Sequence, residues 1–175
     1  MSGAGTVALF SPSQHGHLIP YLAAIHASCI THDRTIATFL PPLSHEKLLA
    51  WWKERIAEVA DGKRLIFILL NESEPGSRPK GSDVMGVVML AMPSSETGPF
   101  RGVVEKLLVH KAFRGRGGAR TLVSALEAEA ARRGRTVLVS WIRLPPCVVG
   151  RNVLTGLVSI IAPRYRSWKC RRGSV

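Results

Sequence analysis

The chain has 175 residues and a formal net charge of +12, with 24 Lys and Arg against 12 Asp and Glu. Hydrophobic residues make up 46% of it and charged residues 21%, which is typical of one globular domain and excludes a disordered or fibrous chain. No run reaches the ~18 uninterrupted apolar residues of a membrane span, and the N-terminus has no secretory-signal pattern. The three cysteines form neither a CxxC pair nor a metal-spaced cluster with histidine. We therefore predict a soluble cytoplasmic protein without a disulfide framework or a bound metal.

The excess positive charge is concentrated near the C-terminus. Residues 141–175 contain seven Lys or Arg and no Asp or Glu. A basic tail binds polyanions electrostatically, so polyanion or nucleic-acid binding through this tail stays an alternative function. No recognisable nucleic-acid-binding motif accompanies it, and nucleic acid is therefore not expected as the main partner.

In chain order, the hydrophobic spacing predicts two helices, three strands, a helix and a strand. The first helix is predicted from Gln14 to about Thr31, with a start nearer Ile19 as the alternative because Pro20 fits best in a first turn. The second runs from His45 to Ala60, with Ser44 as its N-cap. Residues 1–12 are small and polar and are expected to fray.

The three consecutive strands are predicted at 63–70, 84–92 and 103–109. The first reads KRLIFILL, a continuous apolar run typical of a strand buried on both faces. Hairpin loops predict antiparallel pairing here, whereas the strand–helix–strand unit at 103–140 predicts a parallel pair. The expected fold class is α/β with a mixed α+β sheet. We expect residues 1–140 to form the core and residues 141–175 a divergent basic tail.

A glycine-rich basic turn connects the strand at 103–109 to the next helix. It reads Arg114-Gly115-Arg116-Gly117-Gly118-Ala119, followed by Arg120. The first N–H groups of a helix lack internal partners and lie at the positive end of its dipole. Glycine lets an anion approach the backbone, and arginine adds charge and donors. The turn therefore predicts a phosphate or pyrophosphate cradle.

The same turn matches the Q/R-x-x-G-x-G/A motif of the GCN5-related N-acetyltransferase (GNAT) superfamily. It follows a strand ending in LLVHKAF, and the upstream order of two helices and three strands also agrees with that family. The stretches WWKERIAEVADGKRLIFILL and VVEKLLVHKAFRGRGG are most similar to the tabtoxin-resistance type of small-molecule acetyltransferase. The resemblance covers about Leu18 to Val139 and implies the acyl-CoA N-acyltransferase fold.

The resemblance implies acetyl-CoA as cosubstrate, a small-molecule amine as acceptor and no metal. The pyrophosphate would bind the backbone of the turn, the pantetheine arm would pair with the preceding strand, and arginines would reach the nucleotide phosphates. The residues implied are Leu107, Leu108 and Val109 for the pantetheine arm, and Arg114, Gly115, Arg116, Gly117, Gly118, Ala119 and Arg120 for the phosphates. The acetyl group would lie near residues 137–139, where two strands separate, and the amine would attack the thioester directly.

Glu105 is the candidate general base, because it lies two residues before the pantetheine-binding segment, where related enzymes often carry a carboxylate. The alternative is a solvent-facing charge paired with Lys106 or Lys111. Trp51 and Trp52 cannot both face the core of a helix. One is expected in the core, and the other lining the acceptor pocket or an interface.

The resemblance ends after Val139. Family members carry a helix in the following region whose tyrosine acts as general acid toward the CoA thiolate. Here Tyr165 stands in a basic stretch without the Y-x-x-x-G pattern, so no general acid is assigned. The hypothesis favoured for this change is a divergent or altered C-terminus, and the alternative is that residues 148–161 supply one apolar strand or a short helix. An acyl-CoA binder with weak catalysis and an incomplete acceptor site is therefore a further alternative.

Overall fold

A computed structural model describes residues 5–33, 38–71, 78–96, 98–142 and 157–161, with only the backbone described for 141–142 and 157–161. The elements are β1 (Thr6–Leu9), α1 (Pro12–His15), α2 (Ile19–Asp33), α3 (His45–Ala60), β2 (Arg64–Leu70), β3 (Val84–Ala91), β4 (Arg101–Val109), α4 (Gly118–Arg132), β5 (Val137–Ile142) and β6 (Leu157–Ile161). Within these ranges, no helix combines the length and apolarity needed to cross a membrane.

The strands form one mixed sheet in the sequential order β1-β2-β3-β4-β5-β6. Neighbouring strands are antiparallel except for β4 and β5, which are parallel and joined through α4. The predicted mixed α/β sheet is therefore confirmed. Strand β6 pairs with β5 and belongs to residues 148–161, and the expected boundary at residue 140 falls inside β5.

Strand β1 was not predicted, since residues 1–12 were expected to fray. It lies antiparallel to β2, and the next residue, Phe10, is 2% exposed and donates its N–H to the Ile66 carbonyl at 2.8 Å. The expectation was wrong for this segment because its few apolar side chains alternate between two cores. Ala8 and Phe10 pack on one face of the sheet and Val7 on the other.

The side chains of β2 explain why its sequence is continuously apolar. The even-numbered residues from 66 to 70 pack against α2 and α3, whereas the odd-numbered residues from 65 to 69 pack against α4. All seven residues of β2 are buried, as expected for a strand covered on both faces. Helix α3 covers the even face and has the predicted bounds, with the Ser44 hydroxyl accepting from the Lys47 N–H at 3.3 Å.

Strand β4 separates from β5 halfway along its length. The parallel register ends where Val104 faces Ser140, and in the described part of the chain the rest of β4 pairs only with β3. Opposite Val87–Met89 the register of β4 shifts by a bulge, and Lys106 inside it has a φ of +52°. Residues 137–139 of β5 are therefore still paired with β4, and the two strands diverge only after Ser140.

His26 is a buried titratable group on the apolar face of α2. It is 1% exposed, and its ring lies against Phe39, Trp51 and Trp52 with centroid separations of 5.3–6.1 Å. Its Nδ1 atom has no hydrogen-bond partner among the described residues. Burial, together with the nearby charge of Lys106, lowers its pKa to about 4.

Replacing His26 with leucine should remove much of the pH dependence of stability between pH 7.5 and 5. The unfolded chain protonates this histidine near its ordinary pKa of 6.5, whereas the folded chain keeps it neutral down to about 4. The free energy of unfolding therefore falls as the pH drops through this window, by about 2 kcal/mol at pH 5. Urea unfolding at the two pH values measures it. An equal fall in the free energy of unfolding between pH 7.5 and 5 in wild type and His26→Leu would contradict the assignment of this pH dependence to His26.

Candidate functional site

The loop between β4 and α4 turns through two glycines in the left-handed region. Gly115 has a φ of +77° and Gly117 a φ of +82°, and an added Cβ at either position would meet open space. Such backbone is favourable mainly for glycine. The glycines thus let the chain reverse direction and start α4 at an exposed surface.

The N-terminus of α4 has no side-chain cap. Its N-cap is Gly117, and the first turn holds no acidic residue. The first backbone bond of the helix runs from the Thr121 N–H to the Gly117 carbonyl at 3.1 Å. The N–H groups of Gly118, Ala119 and Arg120 therefore have no partner within the helix and lie at the positive end of its dipole. This arrangement suits an anion.

Gly118 lets this helix end pack directly on the sheet. It is buried, and a Cβ added to it would lie 2.6 Å from Leu69 Cδ2 of β2. The three glycines of the turn thus have different structural roles. Gly115 and Gly117 allow the turn, and Gly118 allows close packing.

The arginines of the turn differ in their surroundings. Arg114 donates to the two carboxylate oxygens of Asp33 at 2.8 and 2.6 Å and to the Val109 carbonyl at 2.9 Å. The hydrogen bond from Arg114 holds the pKa of Asp33 below its usual value. The Arg114 side chain therefore fixes the end of α2 to the loop. Arg116 and Arg120 are exposed beside the uncapped helix end, and the Arg116 guanidinium lies 5.6 Å from the centroid of the Phe113 ring.

The segment predicted to hold a pantetheine arm lies in the second half of β4. On the side facing away from β3, Leu107, Leu108 and Val109 have no neighbouring strand in the described part of the sheet. Leu107 is 43% exposed. The Val109 carbonyl is already occupied by Arg114. The open edge leads directly into the glycine turn.

Glu105 lies on β4 at the point where the strands diverge, and Arg64 holds its carboxylate. The Arg64 guanidinium donates to Glu105 Oε2 and to Glu58 Oε2, each at 2.6 Å. Arg64 is 5% exposed. Burial opposes its charge, but the hydrogen bonds to the two carboxylates more than offset this and keep its pKa above its ordinary value. The second oxygen of Glu105 accepts no hydrogen bond within the described residues.

The partner of Glu105 is therefore Arg64, not Lys106 or Lys111, the partners of the alternative interpretation. Sequence reasoning missed Arg64, which was treated as the edge of an apolar strand. A signal was present, because an arginine in a strand buried on both faces needs carboxylate partners. The sequence does not show which carboxylates these are, since Glu105 is 41 residues away.

The residue after Glu105, Lys106, lies beside a group of aromatic side chains. Trp52 is fully buried, as predicted for one of the pair, whereas Trp51 is half-buried and packs against the same core. That Trp51 lines an acceptor pocket or an interface stays a prediction. The Lys106 ammonium lies 5.4 Å from the centroid of the Trp51 ring and donates to the Thr38 hydroxyl. Burial lowers the pKa of Lys106, partly offset by the charge of Glu105.

Residues 31–145 match the model of the acetyltransferase (GNAT) family, a match that extends past Val139. No curated protein matches the sequence significantly. Similar solved structures include YncA of Salmonella typhimurium, described as an acetyltransferase with its cofactor acetyl-CoA. It has a TM-score of 0.57 and 20% identity over 83% of this chain and 74% of the other.

Two further similar structures carry more specific descriptions. The ribosomal-protein-alanine N-acetyltransferase of Brucella melitensis has a TM-score of 0.56 and 19% identity over 82% of this chain and 77% of the other. An aminoglycoside 6'-N-acetyltransferase complexed with coenzyme A has a TM-score of 0.54 and 15% identity over 77% of this chain and 60% of the other. At such identities the likeness concerns the fold alone.

Proposed function

We propose that this chain, which belongs to the GNAT acetyltransferase family, transfers the acetyl group of acetyl-CoA to an amine of a small molecule. One observation carries the proposal. The uncapped, glycine-lined N-terminus of α4 follows the open half of β4, and Glu105 stands on that strand where β4 and β5 part.

Acetyl-CoA fits the donors that this chain presents. The pyrophosphate would bind the N–H groups of Gly118, Ala119 and Arg120, because they lack helical partners. The side chains of Arg116 and Arg120 would add positive charge, and Arg114 would contribute its backbone while its side chain holds Asp33. The pantetheine arm would lie along Leu107 and Leu108 as an added strand.

The chemistry proposed for this site is direct attack of an amine on the thioester that acetyl-CoA supplies. The amine must lose a proton, and Glu105 would accept it through the oxygen that Arg64 leaves open. Arg64 would position the carboxylate without touching the substrate. Backbone N–H groups at the divergence of β4 and β5 would polarise the carbonyl. The group that protonates the leaving thiolate stays unassigned, and Tyr165 lies outside the described residues.

The small-molecule acceptor follows from the resemblance to tabtoxin-resistance-type enzymes and not from the fold. Among the similar structures, one is named for a ribosomal protein and another for an aminoglycoside. Acceptor choice must therefore depend on the side chains around Glu105, on α3 and on the segment before it.

Acetyl-CoA should raise the melting temperature of the chain, and Gly117→Asp should abolish the rise. A specific ligand at 100 times its Kd stabilises the folded state by about 2.7 kcal/mol, which corresponds to about 5–10 °C for a chain of this size. The added carboxylate would repel the phosphates. Differential scanning fluorimetry with acetyl-CoA and dephospho-CoA measures the effect.

Gly62→Asp is the matched control. Gly62 has a φ of +71° and open space around its Cβ position, like Gly117. It precedes the start of β2, at the end of the sheet opposite the glycine turn. Its variant should keep the full response. No shift with wild type at millimolar acetyl-CoA would contradict the proposal.

Release of free thiol then separates an enzyme from an acyl-CoA binder. A transferase should release CoA faster when a suitable amine is present, whereas a binder with an incomplete acceptor site should show the thermal shift alone.

The basic residues of 141–175 define the remaining alternative, binding of a polyanion. DNA binding that weakens steeply with salt and disappears when the Lys and Arg residues of 141–175 are replaced by glutamine would favour a polyanion-binding function instead.

A further inference from the structure

Lys106 differs from the other cations around Glu105. Arg64 is bound by Glu58 and Glu105, and Arg55 by Glu54 and Glu58. In the described part of the chain Lys106 forms no ion pair, and its ammonium contacts the Thr38 hydroxyl and the Trp51 ring. It is also half-buried. A half-buried ammonium that no carboxylate contacts directly is a ready partner for an anion.

The bulge in β4 explains why this ammonium lies beside the candidate base. In a regular strand, consecutive side chains point to opposite faces of the sheet. Glu105 faces α3, where it meets Arg64, so the next residue would ordinarily face α4. The left-handed backbone of Lys106, with a φ of +52°, instead brings its side chain to Trp51 of α3. Two consecutive residues, the anionic Glu105 and the cationic Lys106, thus have their side chains on the same side of the sheet.

This backbone conformation is costly for a residue other than glycine. Here this conformation brings the Lys106 ammonium to the side of the sheet on which an acceptor must lie to reach Glu105. The neighbouring His26 adds no competing charge near neutral pH, because burial keeps its ring unprotonated. The Trp51 ring beside the ammonium packs edge to face with Phe39, with centroids 6.2 Å apart, and the two rings supply apolar surface.

We propose that Lys106 binds an acidic group of the acceptor, so that the preferred acceptor is an amino acid or a similar amine with a nearby carboxylate. The Thr38 hydroxyl would donate a second hydrogen bond to that carboxylate, and Trp51 would pack against the acceptor side chain. The inference rests on the proposed function and names the substrate class of the same site.

Pairs of L-amino acids and their C-terminal amides test the inference, because each pair keeps the amine and removes the negative charge. In thiol-release assays with the wild type, the kcat/KM for the preferred amino acids should be about 10- to 100-fold higher than that for their amides. Lys106→Met should lower the kcat/KM for amino acids by about the same factor and change the kcat/KM for amides by less than about twofold. Lys106→Arg should keep most of the preference for acids.

Lys53→Met, which removes one charge from the exposed face of α3, is the matched control and should behave as wild type. A second readout needs no turnover: with CoA present, acids should raise the melting temperature of wild type more than amides do, and Lys106→Met should lose this difference. Equal use of acids and amides by the wild type, or an equal loss of both in Lys106→Met, would overturn the inference. So would stabilisation by acetyl-CoA without acetylation of any acid. If acetyl-CoA gave no stabilisation at all, the proposed function itself would fail.

Discussion

Glutamine in place of Glu105 should lower kcat about 10²- to 10⁴-fold, the usual contribution of a general base, and leave the KM for acetyl-CoA within about twofold. Glutamine keeps the size of the side chain and one oxygen for Arg64, which donates to Glu105 Oε2 at 2.6 Å, but it cannot take up the proton of the ammonium. Steady-state thiol release with saturating acetyl-CoA measures the effect.

A pH series decides whether the loss reflects proton removal. At a pH above the pKa of the acceptor amine, the acceptor is already neutral and needs no base, so the deficit of Glu105→Gln should narrow as the pH rises. A deficit of equal size at every pH would point to a structural role. Glu46→Gln, a substitution in the exposed first turn of α3, is the matched control and should leave kcat unchanged.

Replacing Arg64 with methionine should lower the free energy of unfolding by about 3 kcal/mol. Removing one partner of a buried ion pair leaves the other charges unsatisfied and costs 3–5 kcal/mol as a rule. The low end applies here because Glu58 and Glu105 stay 29% and 35% exposed. The corresponding fall in melting temperature is about 6–12 °C. Urea and thermal unfolding of the two proteins measure it.

Two variants separate the positioning role of Arg64 from its effect on stability. Arg64→Lys keeps the charge but cannot bind two carboxylates with one planar fork. Its kcat should therefore fall clearly, whereas its free energy of unfolding should fall less than that of Arg64→Met. Glu58→Gln keeps the contact between Arg64 and Glu105, so it should reduce stability and leave kcat near wild type. If Arg64→Met unfolded like wild type, or if Glu58→Gln lost as much kcat as Arg64→Lys, this assignment would be wrong.

The similar structures show why the acceptor must be inferred from side chains. Descriptions as different as ribosomal-protein-alanine and aminoglycoside acetyltransferases accompany the same fold at 15–19% identity, and a fold alone does not specify a substrate. In this chain Arg64 contacts Glu105, and the next residue, Lys106, contacts Trp51 of α3. Arg64 has carboxylate partners, whereas Lys106 forms no ion pair within the described residues.

The features that the sequence predicted are those with local causes. Helix α3 begins after the Ser44 cap and ends at Ala60, before Asp61 and the left-handed Gly62, because capping and left-handed glycine act within a few residues. Strand β2 is recognisable because a strand covered on both faces needs apolar residues throughout. The glycine turn and the uncapped start of α4 are equally local, since they require only glycines followed by the first turn of a helix; that they bind an anion stays a prediction.

Only the tertiary structure decided which distant groups meet. Arg64 reaches a carboxylate 41 residues away and Arg114 one that is 81 residues away. No local pattern encodes such pairs, because they depend on the register of the sheet and the placement of the helices. The bulge at Lys106 is also a property of strand pairing. The sequence by itself thus determined the glycine turn and the start of α4 that follows it, whereas long-range pairing decided the surroundings of Glu105.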